Sequence, residues 1–182
     1  SYLKGIRDIA QDHPDSNYLA RPQVIKTVQG LGKLDITYDI LTKTPELKAA
    51  IELVRACPDT RFVLDHISKP YISRQELEPW KSLITDLASF ENVSCKISGL
   101  VTEANWKDWE VSDFTPYTDH IIESFSTSRI MFGSDWPVAL LAADSYQQVV
   151  DLAEKVTDGF SESEKEAFWA LNVARSYKIT NL

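Results

Sequence analysis

Short apolar runs alternate with longer stretches of helical periodicity along most of the chain. The runs at residues 3–9, 34–41, 61–64, 93–98 and 129–132 are rich in β-branched and aliphatic side chains and are bounded by turn formers. Runs this short, with few polar alternations, suit parallel strands buried on both faces. Between them the period changes. Residues 46–57 carry Leu47, Ile51, Leu53 and Val54 on one helical face, behind a cap-like Thr44-Pro45. Residues 75–90 repeat the scheme with Leu77, Trp80, Leu83, Ile84 and Leu87. Segments 117–125, 145–156 and 163–174 complete the set, and the acid-rich Ser161-Glu162-Ser163-Glu164 suits the positive end of the last helix.

Strand then helix, five times over, predicts an α/β fold with a parallel sheet and right-handed crossovers. Periodicity leaves two architectures open. One is a five-stranded doubly wound domain that binds a small ligand where its strand order reverses. The other is part of an eight-stranded barrel. No G-x-G-x-x-G and no Walker pattern occurs, which weakens the first.

Composition narrows the function classes. The 182 residues suffice for one domain with a real core, and 43% hydrophobic with 25% charged residues is ordinary for a soluble globular protein. A net charge of −8 argues against nucleic acid and anionic membranes, both of which need a basic face. No apolar run reaches the ~18 residues of a membrane span. Cys57 and Cys95 lie far apart and read as reduced thiols of a cytoplasmic protein. Asn92-Val93-Ser94 matches a glycosylation sequon but opens a buried strand, so it reads as chance. The chain starts at Ser1, close to its first strand, which reads as a processed chain or a fragment.

In either architecture chemistry gathers at the C-terminal ends of the strands. Arg7 lies in the first strand. Asp65-His66 and Lys69 end the third, Lys96 lies within the fourth, and Asp135 follows the fifth in Gly133-Ser134-Asp135-Trp136-Pro137. Taken singly, Asp135 is as readily a helix N-cap ahead of Pro137, and His66 a core histidine bonded to a carbonyl. Arg7 and Lys96 are harder to dismiss, since a charge in a buried strand is costly unless it is paired or faces a wet cavity. The stretch from residue 99 to 115, "GLVTEANWKDWEVSDFT", is a long aromatic loop whose Trp106 and Trp109 either wall a pocket or pack on a neighbouring helix. His13 and His120 read as loop and helix-surface residues without a role.

Three motifs, "FVLDHISKP", "VSCKISGLVTEANW" and "IMFGSDWPV", in this order and spacing, resemble the amidohydrolase-related family of TIM-barrel metal-dependent hydrolases. The nearest branch is similar to sugar lactonases of the L-fuconolactonase and L-rhamnonolactonase type. "GIRDI" followed by "DHPDSNYLARP" is similar to that branch's fourth-strand segment. The resemblance implies a (β/α)8 barrel, present here as an incomplete barrel of about five βα units matching the family's fourth to eighth strands. Residues 1–182 would form a single amidohydrolase-related domain whose N-terminal barrel units are missing. The family's His-x-His pair occurs nowhere in this sequence.

The resemblance further implies a hydrolase of small sugar-acid lactones, active in carbohydrate metabolism. Asp135 would be the general base and His66 a catalytic group that ligates a metal or polarises the carbonyl. Arg7 would bind substrate oxygens, with Lys69, Lys96 and Trp106 as further substrate contacts. The cofactor expectation is one divalent metal held by His66 and Asp135, zinc first, or none. A catalytic zinc ordinarily takes three protein ligands, and this chain offers two. The expected partner is a small lactone, with neither nucleic acid nor membrane, and a homo-oligomer stays open. Two alternatives stand beside this reading: a non-catalytic truncated isoform or fragment of such an enzyme, and the doubly wound ligand-binding domain.

Overall fold

The computed structural model describes residues 2–180. Five parallel strands, β1 (Gly5–Ile9), β2 (Thr37–Leu41), β3 (Phe62–Leu64), β4 (Val93–Ile97) and β5 (Ile130–Phe132), pair in the order β1-β2-β3-β4-β5. A doubly wound sheet reverses its order at a switch point. Here every strand adds beside its predecessor, so the doubly wound alternative is overturned. The sheet is an arc of the (β/α)8 type, an incomplete barrel of five units.

The register places Arg7 opposite Asp39, and Lys96 opposite Met131. The alternate positions Tyr38, Ile40, Phe62, Leu64, Val93, Cys95, Ile97 and Ile130 are buried in the hydrophobic core on the helix side of the sheet. Alternation then turns Arg7, Asp39 and Lys96 to the concave face. This explains why the strands look nearly continuous in hydrophobicity yet carry isolated charges. Cys57 and Cys95 are free and buried, as expected.

The helices are α1 (Pro22–Lys33), α2 (Leu47–Ala56), α3 (Trp80–Ala88), α4 (Val111–Phe125), α5 (Tyr146–Val156), α6 (Glu162–Glu166) and α7 (Asn172–Tyr177). Four differ from the sequence reading. Two glycines dilute the pattern of α1, which the periodicity did not single out. The second predicted helix starts five residues late, at Trp80, because Gln75 is left-handed (φ 54°) and Pro79 precedes the first turn. Conversely α4 starts at Val111, before Thr115-Pro116, and carries Pro116 inside it. The Glu110 amide donates to Asp113 Oδ2 at 2.9 Å and anchors that start. The last segment is helical from Glu162 to Tyr177 but passes through a π turn at Ala167–Leu171.

His120 is a correction. It is buried in α4, not on its surface, with Nε2 2.9 Å from the Lys81 carbonyl and its ring edge-on to Trp80. It holds α4 against α3.

The C-terminal helix α7 runs across the N-terminal ends of the strands. The Ser176 carbonyl accepts from Thr37 Oγ1 at 2.7 Å, at the start of β2. Asn172 Nδ2 donates to the Ile130 carbonyl at 2.7 Å, at the start of β5. At the start of β1, a Cβ on Gly5 would lie 3.1 Å from the Tyr177 ring. Tyr177 therefore enters the concave face from below.

Candidate active site

His66 is placed by a strained turn. After β3, the residues His66, Ile67, Ser68 and Lys69 all take left-handed backbone, with φ of 53°, 46°, 59° and 46°. Left-handed backbone costs a non-glycine residue about 1–2 kcal/mol. The turn is held by its neighbours. The Ile67 carbonyl accepts from Trp80 Nε1 at 2.8 Å, Ser68 Oγ lies 2.8 Å from Thr42 Oγ1, and the His66 carbonyl accepts from the Lys69 amide at 2.8 Å. Two glycines make room. Gly99 has φ 62°, and a Cβ there would lie 2.9 Å from the His66 Cβ; a Cβ on Gly133 would lie 2.8 Å from the Ser98 Cβ. The space admits a 2.8 Å hydrogen bond between His66 Nδ1 and Ser98 Oγ.

With Nδ1 occupied, His66 Nε2 faces Asp135, whose Oδ1 lies 3.4 Å away. Asp135 is itself left-handed (φ 52°), and its Oδ2 is buried without a hydrogen-bond partner. Its side chain does not cap the short helix at Val138–Leu141, so it does not act as an N-cap. Burial holds the His66 imidazolium below its ordinary pKa, with the opposing pull of Asp135 and Asp65 coming second. The ring is therefore biased towards its neutral form.

A second, saturated group forms the floor. Lys96 Nζ donates to Asp65 Oδ1 at 2.7 Å and to Asp39 Oδ2 at 3.1 Å. Arg7 reaches Asp65 Oδ2 at 3.3 Å, and the Tyr177 hydroxyl donates to Asp39 Oδ1 at 2.6 Å. Five residues from four strands or strand ends and one helix are thus linked. Burial raises the pKa of Asp39, and the nearby Lys96 charge opposes that rise. To one side, Lys69 Nζ stands 3.6 Å from Glu103 Oε1, whose carboxyl is likewise raised by burial.

A cavity of about 440 Å³ joins the two groups, lined among others by Arg7, Asp65, His66, Lys69, Lys96, Ser98, Asp135 and Trp136. The structure thus brings Arg7, His66, Lys69, Lys96 and Asp135 together, as the strand-end rule expects. It does not bring Trp106. That ring is half exposed and donates to the Thr102 carbonyl at 2.8 Å, and the aromatic wall is Trp136 instead. Trp109 packs on Phe114 and donates to the Ala142 carbonyl.

Sequence reasoning missed Asp39, Ser98, Glu103 and Tyr177. Asp39 had a signal, an acid inside the apolar strand "TYDIL". Tyr177 had none, because nothing in a helical sequence says that one residue enters a distant sheet.

A metal can be tested against these side chains. Among the described residues no group of three or more His, Cys, Asp or Glu side chains is placed to hold an ion. His66 and Asp135 are adjacent and Asp135 Oδ2 is unclaimed, but two ligands fall short of a catalytic zinc set. The residues of this chain do not by themselves fit the metal.

The pattern of motifs at the strand ends of a parallel arc matches one known family over residues 1–179, described as amidohydrolase. The chain belongs to the amidohydrolase family. It is 33% identical over 189 residues to an L-fucono-1,5-lactonase of Burkholderia multivorans, covering 97% of this chain and 63% of that protein. An L-rhamnono-gamma-lactonase of Scheffersomyces stipitis is 22% identical, covering 97% of this chain and 59% of the relative. A crystal structure of a Burkholderia multivorans amidohydrolase with bound zinc superposes with a TM-score of 0.89 at 33% identity, over 98% of this chain and 65% of that one. This amidohydrolase chain therefore spans less than two-thirds of the length of these relatives. Among its described residues no helix is long and apolar enough to cross a membrane.

Proposed function

We propose that this amidohydrolase chain carries the general base and the substrate-binding face of a lactonase acting on small sugar-acid lactones. The observation that carries the reading is the state of Asp135: a side chain with one bare oxygen, beside a histidine, in a cavity that Arg7 and Lys69 also line. The names of the 33%-identical and 22%-identical relatives support the substrate class.

A lactone is a cyclic ester, and water opens it by attack on the carbonyl carbon. Asp135 takes one proton from that water as its oxygen bonds to carbon. The carbonyl oxygen gains negative charge, which the Arg7 guanidinium and the Lys69 ammonium face. As the ring C–O bond breaks, the proton held by Asp135 passes to the departing ring oxygen. The product is an open hydroxy acid, which releases a proton to solvent. His66 orients Asp135 through Nε2. If Ser98 donates its hydroxyl proton to Nδ1, the imidazole carries its hydrogen on Nε2, pointing at the carboxylate. With two candidate ligands in this chain, no step is assigned to a metal.

The test is acid release from L-fucono-1,5-lactone and L-rhamnono-γ-lactone, corrected for spontaneous opening, by the protein and its Asp135→Asn variant. Faster release that Asp135→Asn abolishes supports the reading. A variant that keeps the wild-type rate overturns Asp135 as the base.

A further inference from the structure

We propose that Tyr177 is a positioning residue for this site: its hydroxyl holds Asp39, Asp39 holds Lys96 against Asp65, and helix α7 thereby sets the charge geometry of the cavity floor. The inference rests on the lactonase reading for its kinetic part only.

The geometry is a relay of four contacts. Tyr177 donates to one oxygen of Asp39 at 2.6 Å, and Lys96 donates to the other at 3.1 Å. Lys96 spans on to Asp65 at 2.7 Å, and Asp65 meets Arg7 at 3.3 Å. The charged groups facing Asp39 are Lys96 from β4, Asp65 after β3, and Arg7 opposite it in β1. Arg7, Asp65 and Lys96 line the cavity, whereas Tyr177 does not. The Tyr177 hydroxyl therefore reaches the site through Asp39.

Asp39 is the weak link, since burial favours its neutral form. Removing the phenol hydroxyl strips one oxygen of its donor in the same buried place. The carboxyl then takes up a proton at higher pH, and a neutral carboxyl holds the Lys96 ammonium less tightly. The ring has a separate role. It packs against Gly5, and Lys96 Nζ sits 5.2 Å from its centroid, so Tyr177→Phe keeps the packing and isolates the hydroxyl.

The experiment compares wild type, Tyr177→Phe, Asp39→Asn and the double variant. Expected for Tyr177→Phe is a KM for lactone raised about fivefold with little change in kcat, and an acid-side loss of kcat/KM that starts at higher pH. The double variant should be no worse than Asp39→Asn alone, because the hydroxyl acts through that carboxylate. An unchanged KM and acid limb, or effects that add in the double variant, overturns the proposal. Carboxyl NMR provides a readout that needs no turnover: the Asp39 midpoint should rise in Tyr177→Phe, with a matching change at the Lys96 ammonium. If wild type opens no lactone, the lactonase reading fails by itself. The proposal is then decided by that titration, and unmoved Asp39 and Lys96 signals overturn it.

Discussion

Asp65 and Asp135 each follow a strand and line the same cavity, but their surroundings are opposite. Asp65 is 1% exposed, and its two oxygens are taken by Lys96 at 2.7 Å and Arg7 at 3.3 Å. Asp135 is 9% exposed, it stands 3.4 Å from a histidine that burial biases towards its neutral form, and one oxygen has no partner. A carboxylate bound on both sides is a fixed charge, and using it as a base would break its pairs. A carboxylate with a bare oxygen has a lone pair free to take a proton from water as that water attacks a carbonyl. The unsatisfied oxygen and the strained left-handed turn at His66–Lys69 lie at the same cavity, and both carry a cost that the surrounding structure has to offset.

The largest effect should come from the bare carboxylate. Asp135→Asn should lower lactone turnover by about 10²–10⁴-fold while leaving the thermal midpoint unchanged or higher. A large loss of stability would put Asp135 in the same class as Asp65 and dissolve the contrast. Next, Lys96→Met should destabilise by about 3 kcal/mol, because it leaves Asp39 and Asp65 buried without their shared cation. Denaturant midpoints measure this, and a neutral result would mean the floor is not an ion network. Third, Gly99→Ala should cost about 1–2 kcal/mol from its left-handed backbone and displace His66, lowering turnover as well. Gly159→Ala, with open space around it, is the control and should do neither.

The smallest effect is a pH slope. Tyr177 and Tyr38 both have pKa values raised above the ordinary 10.0, chiefly by burial, with Asp39 adding to Tyr177. Their unfolded phenols lose protons near pH 10 and their folded ones do not. The stability they contribute is thus complete below pH 10 and is lost as pH rises towards the folded values. Unfolding midpoints between pH 9 and 11 should fall with pH, less steeply in Tyr177→Phe.

Much of the fold was legible because burial on both faces leaves a plain mark: short apolar runs recurring with helices between them. Helix starts were less legible. Pro79 is a local signal that α3 obeys by starting just after it, whereas α4 runs through Pro116, where tertiary packing outweighs one proline's local cost. At the site, Arg7, His66, Lys69, Lys96 and Asp135 could be found because charges at strand ends stand out against apolar strands. Asp39 obeys the same rule and was passed over inside an apolar strand. Trp106 shows the converse, an aromatic residue in a long loop that folds back onto its own backbone.

The order of apolar runs and helical faces, written locally along the chain, determined a parallel α/β arc and which polar side chains stand at its strand ends. Whether those strands continue side by side or reverse was decided only by the sheet, because both layouts bury the same residues. So was the pairing of the charges. Lys96 meets Asp65 across 31 positions, and Tyr177 meets Asp39 across 138. Contacts at that separation depend on which strands lie side by side and where the last helix crosses them. No local pattern records that, and it leaves Asp65 saturated and Asp135 bare.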